Sequence, residues 1–433
     1  MLFICLRGKT MEKIKLNGLD LDIYKDKLDN GLLVYICPMK KHDTHASIVT
    51  KYGNDILEFV PRGKDEFITI PPGTAHFLEH KMFATEDGID PMILFSNNGA
   101  SSNAYTSSNV TRYYFTGASH FYENLKILLD CITTPFFTKE NVENEQGIIE
   151  QEIKAGFDDP GQMAYFLACK SLFNKHPHKY PVAGYVDSIS KLTPEMLYDC
   201  YNTFYHPDNM YLVITGEVNP KEAFEFVKDY YQTRDFLDNE DIKIKKYDEK
   251  DEVAAKEAVE TMDITNKIIT INYKVKATDS KRERFLTNLY ILIYLDILFS
   301  EMSSLYDEVH HDKNILQHIE YYIENVEDYV IIYFNTEVID DESILKRIND
   351  LINQKDFTEK DFSLIAKNLV KSAILSTESV NGVANLIVNQ ELLYGKFYTD
   401  LYDKYKNLSY EDCIDFIKGL DFSNYSIDII KKD

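Results

Sequence analysis

The chain has 433 residues, a length that predicts two domains or three, and 71 Asp and Glu against 47 Lys and Arg give a net charge of −24. With 44% hydrophobic and 27% charged residues it has the composition of a globular protein with real cores, not of a disordered, collagen-like or disulfide-stapled chain. The acidic balance sets aside nucleic acid and an anionic membrane surface as partners, because both are bound through clustered Lys and Arg.

The opening ten residues (MLFICLRGKT) read as a loose extension, or as sequence ahead of an alternative start at Met11. Strands follow at 32–37 (LLVYIC), after the turn Asp29-Asn30-Gly31, and at 46–52. Pro71-Pro72-Gly73 breaks the chain and offers Thr74 as the cap of a helix running to about Ala84. Asn97-Asn98-Gly99-Ala100 reads as a turn, and strands follow at 103–106 and 110–117. Helices are expected at 120–133, 138–155, 160–173 and 193–204, a strand at 210–215, and a helix at 220–231 capped by Asn219. Residues 236–260 are densely charged and read as a surface linker or a fringe strand. The pattern then restarts with a strand at 267–276, a long apolar helix at 282–302, a strand at 328–336, helices at 341–354 and 358–377, and a last strand at 425–430.

Six cysteines, at 5, 37, 131, 169, 200 and 413, show no paired spacing, so reduced thiols in a cytoplasmic setting are expected. No apolar run reaches the length of a membrane span. Most of the 31 tyrosines alternate with apolar residues and read as core and strand filling. Two stretches share an order of elements: Tyr113-Tyr114-Phe115, helix, Phe137-Thr138, long helix; and Ile332-Tyr333-Phe334, helix, Phe357-Thr358, long helix. The offset of about 220 residues points to a duplicated unit.

His76-x-x-Glu79-His80 is the sharpest feature. On a helix, positions three and four apart share a face, so both imidazoles and the carboxylate converge. Two imidazoles at that spacing can grip one zinc ion, and the carboxylate can take a proton from water the metal has acidified. With 11 His in the chain, a chance match somewhere has a probability of only about 2 in 100. A third donor is needed. Glu145 and Glu152 lie seven apart, two helical turns, on one face with Ile148 and Ile149. Glu143 and Glu150 point the other way and read as solvated.

His76-Phe-Leu-Glu79-His80 followed by Glu145 and Glu152 resembles the pitrilysin/insulinase family of zinc peptidases, in its bacterial stand-alone branch. Gly99-Ala-Ser-Ser-Asn103-Ala104-Tyr105-Thr106 is similar to the family's strand after the catalytic helix, and 206–216 (HPDNMYLVITG) to its closing strand. The resemblance implies one zinc per chain held by His76, His80 and Glu152, with Glu79 as general base and Glu145 as support. It implies that Asn103, Ala104 and Tyr105 receive an extended peptide substrate on an edge strand. It implies an α+β fold of two similar domains, each an antiparallel-rich sheet packed with helices, forming half of a clamshell. These would be an N-terminal catalytic zinc domain (1–235), a charged linker (236–260) and a homologous non-catalytic domain (261–433). A homodimer, or a heterodimer with a related chain, would complete the chamber.

The sequence departs from the family where a second-domain Arg and Tyr are expected. Residues 303–322 hold no Arg; Tyr306, His310, His311, Tyr321 and Tyr322 stand there, and the adjacent histidines read as a surface pair. The second half has no HxxEH, and at the repeat offset Glu152 falls on Ser372. His176 and His178 read as solvated loop residues. The expected function is a zinc endopeptidase, with leader-peptide removal in peptide-antibiotic maturation as one setting. The alternatives are a non-catalytic or regulatory subunit and an interaction protein with an incidental HxxEH.

Overall fold

The computed structural model describes residues 3–6, 9–276, 281–306, 315–339, 341–395 and 397–433. His310 and His311 lie outside them. The chain divides into two compact units: Met1–Ile153 with Pro181–Lys246 and Ala373–Tyr402, and Lys154–Tyr180 with Tyr247–Ser372 and Asp403–Asp433. These are not the contiguous blocks 1–235 and 261–433 that the sequence suggested. The helix Val380–Tyr394 shows why: it comes late in the chain, yet its apolar face is buried in the first unit.

Among the described residues the first unit holds ten strands: β1 (Phe3–Leu6), β2 (Lys9–Lys15), β3 (Asp22–Lys27), β4 (Leu33–Pro38), β5 (Thr44–Thr50), β6 (Glu58–Phe59), β7 (Ile68–Thr69), β8 (Ala100–Thr106), β9 (Thr111–Gly117) and β10 (Met210–Gly216). Eight of them form one sheet in the order β1-β2-β3-β4-β10-β5-β9-β8. Every neighbouring pair is antiparallel except β4 and β10. β5 and β10 are buried along their whole length, as central strands covered on both faces must be. On one face Val383 and Ile387 pack among Tyr35, Val49 and Val213. On the other lie α2 (Pro91–Asn97) and α3 (Phe121–Thr133), with Phe95 stacked on Phe115. The described residues of the opening stretch, 3–6 and 9–10, are strand rather than a loose extension. Met11 and Ile14, three apart on β2 and so on opposite faces of the sheet, are both buried.

The second unit is a five-stranded sheet in the order β11-β15-β12-β14-β13. Its strands are β11 (Glu257–Met262), β12 (Lys267–Lys276), β13 (Glu320–Val326), β14 (Tyr329–Val338) and β15 (Tyr425–Lys432). Only β11 and β15 pair in parallel. The helix Lys281–Phe299 buries Tyr294, Leu298 and Phe299 against Phe334, Phe357 and Ile417. The run β14, helix Asp341–Gln354, Phe357, helix Glu359–Ser376 repeats the order of β9, α3, Phe137 and α4 (Lys139–Asp158) in the first unit.

The charged stretch 236–260 is not a free linker: it is tied down along its length and its end enters the edge strand β11, the fringe-strand alternative. Lys243 and Lys245 pair with Val60 and Glu58 through the backbone. Glu249 accepts N–H bonds from Asn174, Lys175 and His176, and meets the Lys274 ammonium at 3.0 Å with both side chains buried. Burial opposes its charge, but those three N–H donors and Lys274 bring the Glu249 carboxyl down to about 2. The same anchor folds the following loop inward, so His176 and His178 are buried rather than solvated, beside Glu327 at 3.6 Å and Glu324 at 3.5 Å.

Breaking a buried ion pair from one side strands the other charge, at a cost of about 3–5 kcal/mol. Lys274→Met is expected to lower unfolding stability by that order in urea titration at neutral pH. A variant as stable as the parent would show that the pair is not needed.

Candidate metal centre

The site is built on α1 (Thr74–Lys81). Its N-terminus is set by Gly73, whose φ of 92° lies in the left-handed region, and a Cβ there would sit 2.5 Å from the Ala183 carbonyl. Thr74 is not the cap the sequence suggested. It is the first helical residue, and its hydroxyl donates to the Pro71 carbonyl at 2.6 Å. Phe77 and Leu78 are fully buried and fix the helix to the unit. His76, Glu79 and His80 then share the remaining face. The two imidazole rings stand 4.7 Å apart between centroids.

Helix α4 brings the third donor. Glu152 Oε1 lies 3.3 Å from His76 Nε2, and its Oε2 lies 3.5 Å from His80 Nε2. One donor atom from each of His76, His80 and Glu152 falls within 4.8 Å of the other two. Two ligands each about 2.1 Å from a tetrahedral zinc are about 3.4 Å apart, so the carboxylate–imidazole separations suit that ion. Among the described residues this is the one cluster of three such donors.

Glu145, two turns earlier on α4, meets His80 from behind at 3.2 Å through Nδ1. An ionised carboxylate can only accept, so that ring nitrogen carries the hydrogen and Nε2 keeps its lone pair for a cation. Lys81 lies 3.6 Å from the other Glu145 oxygen and donates to the Asn141 carbonyl. Burial opposes the Glu145 charge, but His80 and Lys81 hold its carboxyl below the usual value. For Glu152 the hydrogen bond from His76 is the main lowering cause. Burial disfavours the charged form of His80, yet Glu145, Glu152 and Glu79 together raise its pKa. The α4 face is less apolar than the spacing suggested: Ile149 is buried, but Ile148 is 59% exposed.

Glu79 is buried beside this cluster, and burial raises its pKa against the lowering pull of Thr106 and the two histidines. Its Oε2 accepts a 2.6 Å hydrogen bond from the Thr106 hydroxyl. Sequence reasoning missed Thr106; its position one residue past Tyr105 on an inward-alternating strand was the available signal.

Asn103, Ala104 and Tyr105 lie on β8, which ends the sheet and pairs only with β9 among the described residues. The hairpin closes with Ser107 N–H donating to Val110 at 2.8 Å, and its register sets Thr106 opposite Thr111. Antiparallel alternation then turns the backbone groups of Ser102, Ala104 and Thr106 toward the open edge. The Ala104 N–H is bonded at 2.8 Å to the Asn103 side-chain oxygen. In the second unit Tyr306 bonds His318, Tyr321 donates to Asp296 at 2.7 Å, and Tyr322 stacks on Tyr333.

A partner that orients a metal-binding histidine is worth about 10–100-fold in metal affinity. Glu145→Ala is expected to weaken zinc binding by that factor in competition with a chelator, and His76→Ala to abolish it. Undiminished affinity in both would remove the site.

Residues 70–185, which contain every donor named above, match the family described as Insulinase (Peptidase family M16). Residues 191–369 match the one described as Peptidase M16 inactive domain. The chain is 37% identical over 302 residues to the uncharacterized zinc protease YmfH of Bacillus subtilis, covering 69% of this chain and 70% of that protein. It is 24% identical over 339 residues to a second Bacillus subtilis zinc protease, YmxG, covering 76% and 80%. A solved structure from Alicyclobacillus acidocaldarius, described as M16-like, superposes with a TM-score of 0.90 at 25% identity, covering 96% of this chain and 99% of the other. A Helicobacter pylori protease shares the fold, with a TM-score of 0.83 at 21% identity over 94% and 99% of the two chains. By sequence, fold and the place of its donor cluster, this chain belongs to the insulinase (M16) family of peptidases.

Proposed function

We propose that the chain is a zinc-dependent endopeptidase acting on extended peptides or short unfolded segments. The observation that carries this reading is the donor set of His76, His80 and Glu152 with a buried carboxylate, Glu79, on the same helical turn. Bound zinc would supply Lewis acidity, polarising a carbonyl and acidifying water. His76, His80 and Glu152 would hold one ion per chain, and Glu145 would keep His80 in the right tautomer. Glu79 would take the proton from the attacking water and return it to the leaving amine. Its buried setting supports that role, since a carboxylate with a raised pKa is the stronger base.

The open edge of β8 suits a substrate that adds as a strand, with Ser102, Ala104 and Thr106 offering backbone groups. Recognition through the backbone accepts many sequences. General peptide turnover and removal of a leader peptide from an antibiotic precursor are both served by it. The family resemblance extends the reading to a working pair, either two copies or this chain with a related one. The regulatory-subunit reading has less support here, because the match to the inactive domain begins at residue 191, beyond every proposed ligand.

A positioned general base contributes about 100-fold or more to rate. Glu79→Gln is expected to retain zinc and lose at least that much kcat on a quenched-fluorescent peptide. Cleavage at the parent rate would show that Glu79 is not the base.

A further inference from the structure

Thr106 stands where two parts of the site meet. Its hydroxyl reaches Glu79 Oε2 at 2.6 Å and Thr111 Oγ1 at 3.2 Å. Thr111, fully buried, donates to the Tyr52 carbonyl at 2.9 Å, and Tyr205 reaches Thr111 from the other side while meeting the Tyr113 hydroxyl at 2.6 Å. A hydroxyl has one hydrogen to give. With the Thr111 hydrogen committed to a carbonyl, the Thr106 hydrogen is directed at the carboxylate, which can only accept. One oxygen of Glu79 is thereby pinned, and rotation of the carboxylate is restricted. Thr106 also belongs to the row of backbone groups on the open edge of β8, so one residue links the proposed substrate strand to the proposed base.

We infer that Thr106 is a positioning residue, whose hydroxyl fixes the orientation of the Glu79 carboxylate. This rests on the peptidase reading for its consequence in catalysis, but the positioning is a property of the chain itself.

Two substitutions test it. Thr106→Val keeps the β-branched shape and the backbone edge but removes the hydroxyl, and Thr106→Ser restores the hydroxyl without the methyl. Crystal structures of the metal-free proteins are expected to show the Glu79 carboxylate turned from its parental orientation in the Val variant and unchanged in the Ser variant. On a quenched-fluorescent peptide, the zinc-loaded Val variant is expected to lose about 100-fold in kcat, the penalty of a misplaced group, with KM close to the parent. The Ser variant is expected to recover most of that loss. Zinc content should be equal in all three proteins. A Val variant with Glu79 in place overturns the inference, as does a Ser variant as slow as the Val variant. If the parent binds zinc but cleaves no peptide, the peptidase reading fails, and the crystallographic comparison alone decides the role of Thr106.

Discussion

Two glutamates two turns apart on one helix must both reach a single imidazole. Seven residues of helix advance by about 10 Å, while the nitrogens of one imidazole ring lie close together. Glu145 and Glu152 can meet Nδ1 and Nε2 of His80 only if α4 lies across α1 with both side chains leaning inward. That crossing requires α1 to be fixed in place and direction. Its N-terminus is set by the close approach of Gly73 to the Ala183 backbone, and the burial of Phe77 and Leu78 holds it against the unit. The sheet behind supplies the rest: β8 ends it, and the last residue of β8 holds Glu79.

The electrostatics of the cluster follow from the same crossing. His80 is in contact with both Glu145 and Glu152, Glu79 acts on it through space, and Lys81 partly offsets the acidic charge from behind Glu145. Unpaired, such carboxylates would be costly to keep together, and a divalent cation removes that cost. The net charge of −24 is a property of the whole surface. The acids proposed to take part in the chemistry are Glu79, Glu145 and Glu152, each distinguished by its partners.

What the sequence made legible was periodic or local. The spacing of His76, Glu79 and His80 and the seven-residue interval from Glu145 to Glu152 are helical geometry, and Asn219 caps its helix as its residue type demands. The repeat of strand, helix, Phe-Thr and helix appears in both units. What stayed hidden depends on partners distant in the chain. In β2 the buried Met11 and Ile14 stand three apart among charged residues, so they fall on opposite faces and leave no two-residue period to read. The inward turn of His176 and His178 is dictated by Glu249, some seventy residues away. Nothing local to Val380–Tyr394 announces that it packs with strands from the start of the chain. Thr106 is an ordinary strand threonine until Glu79 is placed against it.

An unpaired strand edge can template the growth of a sheet from one molecule into the next. On β8 that hazard is reduced by a short-range device: Asn103 turns its side-chain oxygen onto the N–H of Ala104. The donor is satisfied without any neighbour, so casual pairing with another copy gains no new bond there. An arriving carbonyl exchanges one hydrogen bond for another, a nearly neutral step. At that position the edge gains little from permanent association, and in the proposed peptidase such an exchange would let a cleaved peptide leave as readily as it came.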